Sequence, residues 1–215
     1  MKENKNNIVG AVVVALLIGG IVGYWFNSSQ HMSSQSNMSD IQAQNGMSDG
    51  MHRMPDGSMM HHDDMIMDHM DMMVTSERAF IEGMIPHHQE AIDTAKEVLE
   101  RGGTTPEIRD LAEEIIQAQE AEIALMKQWY QDWYGEAYQD SGEYMPMMRD
   151  LSQLSGVDLD RTFLEDMVMH HMGAVMMARS VQPYIEHEEM INLTQAVIAT
   201  QSEEIQLMQR LLREL

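Results

Sequence analysis

Methionine and histidine are the residues of this sequence whose types and spacing bear most directly on chemistry. Between His31 and Met73 there are twelve methionines and five histidines, most of them in the run MHRMPDGSMMHHDDMIMDHMDMM from Met51 to Met73. No period of 2 or 3.6 residues orders them, so they are not the apolar face of a helix. Thioether sulfur is a soft donor that selects Cu(I) and, by the same softness, Ag(I). Imidazole and carboxylate also accommodate Cu(II). Met59, Met60, His61, His62, Met65, Met67, His69 and Met70 offer such donors with little geometric demand. That suits capture and transfer of an ion better than tight structural binding. A biased linker using Met as a sticky hydrophobe is the plainer reading, and it leaves the His and Asp neighbours unexplained.

A second set of the same donors is held at helical spacing, and it occurs twice. The run RAFIEGMIPHH from Arg78 to His88 matches RTFLEDMVMHH from Arg161 to His171, displaced by 83 residues. QEAEIALM from Gln119 to Met126 matches QSEEIQLM from Gln201 to Met208, displaced by 82. Two blocks recurring in the same order indicate a duplicated helical hairpin. One amphipathic hairpin cannot bury its own face, whereas two packed together make a four-helix bundle.

The elements that must position these donors can be bounded from the sequence. Thr75 or Ser76 caps a first helix that Gly102-Gly103 ends near Arg101. Thr104, Thr105, Pro106 and Glu107 supply the cap, first-turn proline and early acid of a second. The chain then divides into hairpins at 75–134 and 161–215 with a crossover at 135–160, and Asp158 or Asp160 is expected to cap the third helix. On a helical wheel Phe80, Met84, His87, His88, Ala91, Ala95 and Val98 share a face. Phe163, Met167, His170, His171, Ala174 and Ala178 share the equivalent one. Gln119, Glu122 and Met126, like Gln201, Glu204 and Met208, face inward from the returning helices. A satisfied core of paired His and filler Met would explain any one of these residues. Their recurrence in register favours a metal site, in which Glu122 and Glu204 are either ligands or acceptors that fix the imidazole tautomer. Pro86 should kink the first helix, since it removes a backbone donor. Met169, Met172 and Met176 line a third-helix face expected to be wet, suited to binding soft metal, the tail or another subunit.

Composition removes other functions. With 35 Asp and Glu against 13 Lys and Arg, a net charge of -22, the chain is repelled by phosphate backbones and is not a nucleic-acid binder. It has no cysteine, hence no disulfide framework, thiolate metal site or thiol nucleophile. It has 25 methionines, roughly 12% of the chain and several times the usual share.

Residues 8–26, IVGAVVVALLIGGIVGYWF, are apolar or small and uncharged, close to the length of a membrane-spanning helix. Lys2 and Lys5 before them and Tyr24-Trp25 at their end favour an uncleaved anchor over a signal peptide. Residues 1–26 are thus expected to be the membrane segment and 27–74 a disordered Met/His/Asp-rich tail, with everything after Phe26 outside the cytoplasm. Cleavage of the segment would make the protein secreted.

At the two Met-x-x-His-His blocks and the Q-x-x-E-I-x-L-M blocks the chain resembles the DUF305 family of bacterial metal-associated proteins. The resemblance covers about 76–129 and 161–212. It implies an all-α, ferritin-like four-helix bundle associated with copper or silver outside the cytoplasm. It also implies ligand roles for Met84, His87, His88 and Met126, and for Met167, His170, His171 and Met208. Met169 and Met172 depart from the family's usual proline and polar residue, which sets the second copy apart.

The function expected is copper binding without turnover: buffering, sequestering or transferring Cu(I), and also Cu(II) or Ag(I), with a copper transporter or chaperone as exchange partner. A ferritin-like carboxylate oxidase is the enzyme alternative, but its Glu-x-x-His motif is missing. A Met-rich protein-interaction adaptor is the third reading, and it does not account for the histidines.

Overall fold

The computed structural model describes residues 51–53, 59–61 and 73–215. Residues 1–26, expected to be a membrane anchor, and most of the tail, including His62, Met65, Met67, His69 and Met70, lie outside the described residues. Among the described residues no helix is long and apolar enough to cross a membrane. The tail, expected to lack regular structure, carries two short strands, β1 (Met51–Arg53) and β2 (Met59–His61). They pair antiparallel, with Met51 opposite His61, His52 opposite Met60 and Arg53 opposite Met59. The Pro55-Asp56-Gly57 sequence between them is turn chemistry that favours such a reversal.

Four helices follow: α1 (Glu77–Arg101), α2 (Pro106–Tyr134), α3 (Gly156–Val181) and α4 (Glu188–Glu214). Ser76 caps α1 by accepting from the Ala79 amide, and Thr105 caps α2 by accepting from that of Ile108. Helix α1 is continuous through Pro86. Gly135, at φ 74°, ends α2 in the left-handed conformation that glycine adopts without strain.

The third helix begins at Gly156, five residues before the expected hairpin boundary, so the crossover is 135–155. Its N-cap is Ser155, not Asp158 or Asp160. Asp160 has a different task. Fully buried, it accepts hydrogen bonds from the Gly103 and Thr104 amides at 2.6 and 2.7 Å and from the Thr104 hydroxyl at 2.6 Å. A helix α3 carboxylate thereby ties down the α1–α2 loop. Gly102 must be glycine here, because a Cβ would lie 2.4 Å from the Asp160 carboxylate. Three charge-assisted bonds in a dry setting predict that Asp160→Ala costs about 2–4 kcal/mol. Urea denaturation of the metal-free variant should show that loss as a lower midpoint.

The helices form two hairpins, α1–α2 and α3–α4, joined chiefly through α1 and α3. Gly102 lies beside Leu159 and Asp160 at one end of the bundle. At the other end Glu77 is buried and accepts from the Glu186 and His187 amides and pairs with His187 Nδ1 at 2.7 Å. Helices α1 and α3 are therefore antiparallel, and the crossover must climb the whole bundle. Up, down, long crossover, down, up is the ferritin-like arrangement. Two apolar clusters fill the interior. Met84 and Met126 belong to one with Phe80 and Trp129; Met167 and Met208 belong to the other with Phe163 and Leu164.

Candidate metal centre

The duplicated blocks meet where α1 crosses α3. The His87 and His170 rings lie face to face, centroids 3.6 Å apart and planes inclined by 33°. His88 and His171 flank them at 6.3 and 6.2 Å from their sequence neighbours. All four histidines are buried. So are Met84, Met126, Met167, Met208, Gln119 and Gln201. Sequence periodicity thus brought ten residues to the interior as expected. Met172 is different: it is 41% exposed, away from the buried set. In β2, Met59, Met60 and His61 are placed by backbone register only.

Each copy contains a carboxylate–imidazole pair. Nε2 of His88 lies 2.7 Å from the Glu122 carboxylate, and Nε2 of His171 lies 2.7 Å from that of Glu204. A carboxylate only accepts, so Nε2–H donates, which leaves Nδ1 as the nitrogen whose lone pair a metal would meet. Both Nδ1 atoms are buried and have no hydrogen-bond partner. Here Glu122 and Glu204 are placed as hydrogen-bond acceptors for His88 and His171, the geometry that fixes an imidazole tautomer.

His87 lacks a partner at either ring nitrogen. His170 Nε2 comes within 3.4 Å of Glu90, close enough for attraction but without hydrogen-bond alignment. With Gln119 Oε1 and Gln201 Oε1, these atoms are all the buried side-chain polar atoms without partners among the described residues. A buried unpaired polar group costs about 1–3 kcal/mol. Here eight of them are concentrated in one repeated constellation. The satisfied-core explanation holds for one nitrogen each of His88 and His171 and fails for both nitrogens of His87 and His170.

Electrostatics keep the imidazoles available as donors. Burial, reinforced by His170 and the other two histidines, holds His87 well below the usual imidazole range. Burial brings His170 down to about 4 despite attraction from Glu90. Burial pushes the Glu90 carboxyl up, but His170, Tyr144 and the Met148 amide outweigh it and hold it below the ordinary value. Neutral imidazole is the metal-binding form.

Among the described residues no three His, Asp or Glu side chains converge closely enough to hold an ion by themselves. Completing a coordination sphere therefore calls on other donors. Thioethers are at hand by helical spacing: Met84 stands three and four residues before His87 and His88, and Met167 likewise before His170 and His171. Such a mixed imidazole and thioether set fits a soft ion better than a hard one.

The profile of the family described as "Domain of unknown function (DUF305)" matches residues 22–130 and 77–212. The chain belongs to the DUF305 family. No curated protein matches it. CopM in its Cu(I)-bound form is 36% identical over 66% of this chain and 98% of its own, with a TM-score of 0.59. CopM has also been solved with Ag and with Cu(II). A DUF305 protein of Streptomyces coelicolor, described as secreted, is 28% identical over 65% of this chain and 93% of its own, with a TM-score of 0.58.

Two residues at this centre escaped sequence reading. Glu90 and Tyr144, joined at 2.5 Å, lie against His170 and His87. The available signal was an acid at position 90 where the second copy has Gly173.

The carboxylate acceptors give a graded prediction. Glu122→Gln retains an oxygen that can accept from His88 Nε2–H and should change copper affinity little. Glu122→Ala removes the acceptor and should weaken affinity about 10–100-fold. Competition titration of the variants measures both.

Proposed function

We infer that this DUF305 protein binds copper at the buried histidine–methionine centre and on its Met/His-rich tail. Cu(I) is the preferred ion, with Cu(II) and Ag(I) also accepted. The observation that carries this reading is the cluster of unpartnered imidazole nitrogens, with Glu122 and Glu204 presetting His88 and His171. The structures of CopM with Cu(I), Cu(II) and Ag bound support it by family.

The proposed role is buffering, sequestration or hand-on of copper, with no substrate turned over. The tail collects ions and the bundle holds them. A copper transporter or chaperone is the fitting exchange partner. The segment at 8–26 would anchor the protein in a membrane with the bundle outside the cytoplasm. Methionine in place of cysteine suits that oxidising setting, where a thiol would be consumed.

Long-range ¹H–¹⁵N NMR on the imidazoles provides the test. Ag(I) should move the Nδ1 resonances of His88 and His171 while their Nε2 nitrogens remain protonated. Shifts confined to tail histidines would refute a centre in the bundle.

A further inference from the structure

The crossover is tied to the helices that carry the histidines. Glu90 of α1 accepts from the Tyr144 hydroxyl at 2.5 Å and from the Met147 and Met148 amides at 2.9 and 3.0 Å. The same carboxylate lies 3.4 Å from His170 Nε2, while the Tyr144 ring meets His87 edge-on at 6.2 Å. Further along, Arg149 binds Asp166 and Glu165 of α3, and Arg101 of α1 donates to the carbonyls of Leu151, Ser152 and Leu154. The segment is a strap across the groove between α1 and α3, laid over the stacked imidazoles. Its outer side carries thioethers: Met145 is 80% exposed and Met147 37% exposed. Burying these two methionines would have been favourable. The fold instead leaves them in water on either side of Pro146 and next to the residue that seals the histidines. Position 173, the counterpart of Glu90, is a buried glycine, so the second copy has no equivalent latch.

The geometry points to a metal port: Met145 and Met147 take up a soft monovalent cation from solution, and the Glu90–Tyr144 latch controls its passage to His87 and His170. This rests on the copper reading above and adds the route to the centre. The step is a ligand exchange. Thioether sulfur donates to the ion first and is replaced by imidazole nitrogen, with no change in oxidation state. Opening requires the Tyr144 hydroxyl to leave Glu90, which frees the edge of His87.

Site-resolved diethyl pyrocarbonate labelling of the full-length chain, read by mass spectrometry, separates the port from the tail because each histidine reports individually. In the metal-free protein, Tyr144→Phe and Glu90→Gln should each raise the labelling rate of His87 and His170 at least threefold, with His187 unchanged. After mixing with anaerobic Cu(I) bicinchoninate, the two histidines should become protected, and M145L/M147L should lengthen the half-time of protection several-fold with the same final protection. Unchanged labelling in both latch variants overturns the latch. An unchanged half-time in M145L/M147L overturns the methionine route while the copper reading stands. If copper never protects His87 and His170 in the parent chain, the copper reading falls and the port falls with it.

Discussion

Replacing both stacked histidines, H87L/H170L, is expected to stabilise the metal-free protein while removing its capacity to hold copper in the bundle. Leucine roughly matches imidazole in volume and carries no polar atom. The substitution removes four buried nitrogens that have no hydrogen-bond partner. Exchanging unsatisfied polar groups for apolar ones of similar shape is neutral or stabilising, whereas leaving them buried costs about 1–3 kcal/mol each. Only part of that is recovered, because the ring stack and the approach of Glu90 to His170 are lost. A gain of about 1–3 kcal/mol in unfolding free energy is expected. If the histidines were merely structural, the same variant would lose stability as core substitutions generally do. Calorimetry of the metal-free proteins decides the sign, and a lower melting temperature in the variant would contradict the functional assignment.

Acidification should act on the same residues in the opposite sense. His170 is held at about 4 in the folded chain, against roughly 6.5 when unfolded, and His87 is also depressed. Between those values the unfolded chain binds the proton and the folded chain does not. Stability is therefore complete above about 6.5 and declines as pH falls toward 4, below which this contribution is exhausted. His170 alone accounts for a loss on the order of 3 kcal/mol. Glu90, whose carboxyl is also lowered, extends the loss in the same direction below its ordinary value. With a net charge of -22, protonation of surface carboxylates relieves repulsion and works against this trend. The comparison with H87L/H170L isolates the histidine part. Urea midpoints at pH 7, 5.5 and 4 should fall more steeply for the parent chain than for the variant. Parallel slopes would exclude the buried imidazoles as the cause.

The duplication, the four helices and the inward Met-x-x-His-His faces were legible in the sequence because each depends on local periodicity and on caps. For Glu122 the sequence left two roles open, ligand or acceptor for an imidazole, and its pairing with His88 emerged only from the fold. What could not be read were contacts made by residues distant in sequence without a shared period. Asp160 looked like a helix cap because acids favour that position. The fold instead uses it to satisfy amides of a loop more than fifty residues away. The third helix starts early at Gly156 because Ser155, in extended conformation, precedes it, and an acid at 158 suits the first turn without being the cap. Glu90 lies between a polar Gln89 and a buried Ala91 on α1. Only the course of the crossover reveals that its carboxylate serves both strap and centre. The exposed methionines at 145 and 147 carried little meaning as a Met-Pro-Met-Met cluster in a loop. Their position over a buried histidine pair gives them one.

The tail and bundle differ physically as ligand sources. The tail's donors are close neighbours in sequence, whereas those of the bundle are brought together by folding from positions as distant as 87 and 170. The bundle fixes its imidazoles by folding, and burial holds His87 and His170 below the usual imidazole range. The division of labour proposed above, capture by the tail and retention by the bundle, draws on that contrast.

The central claim is that the bundle itself, through its four histidines, binds Cu(I). It is tested most directly by anaerobic competition titration of residues 75–215 beside the same fragment with His87, His88, His170 and His171 changed to Ala. The account predicts that the parent fragment competes effectively for Cu(I) and that the quadruple variant loses at least about 100-fold in affinity, as expected when several ligands are removed. Equal affinity in the two, no tighter than a generic methionine-containing control, would contradict it.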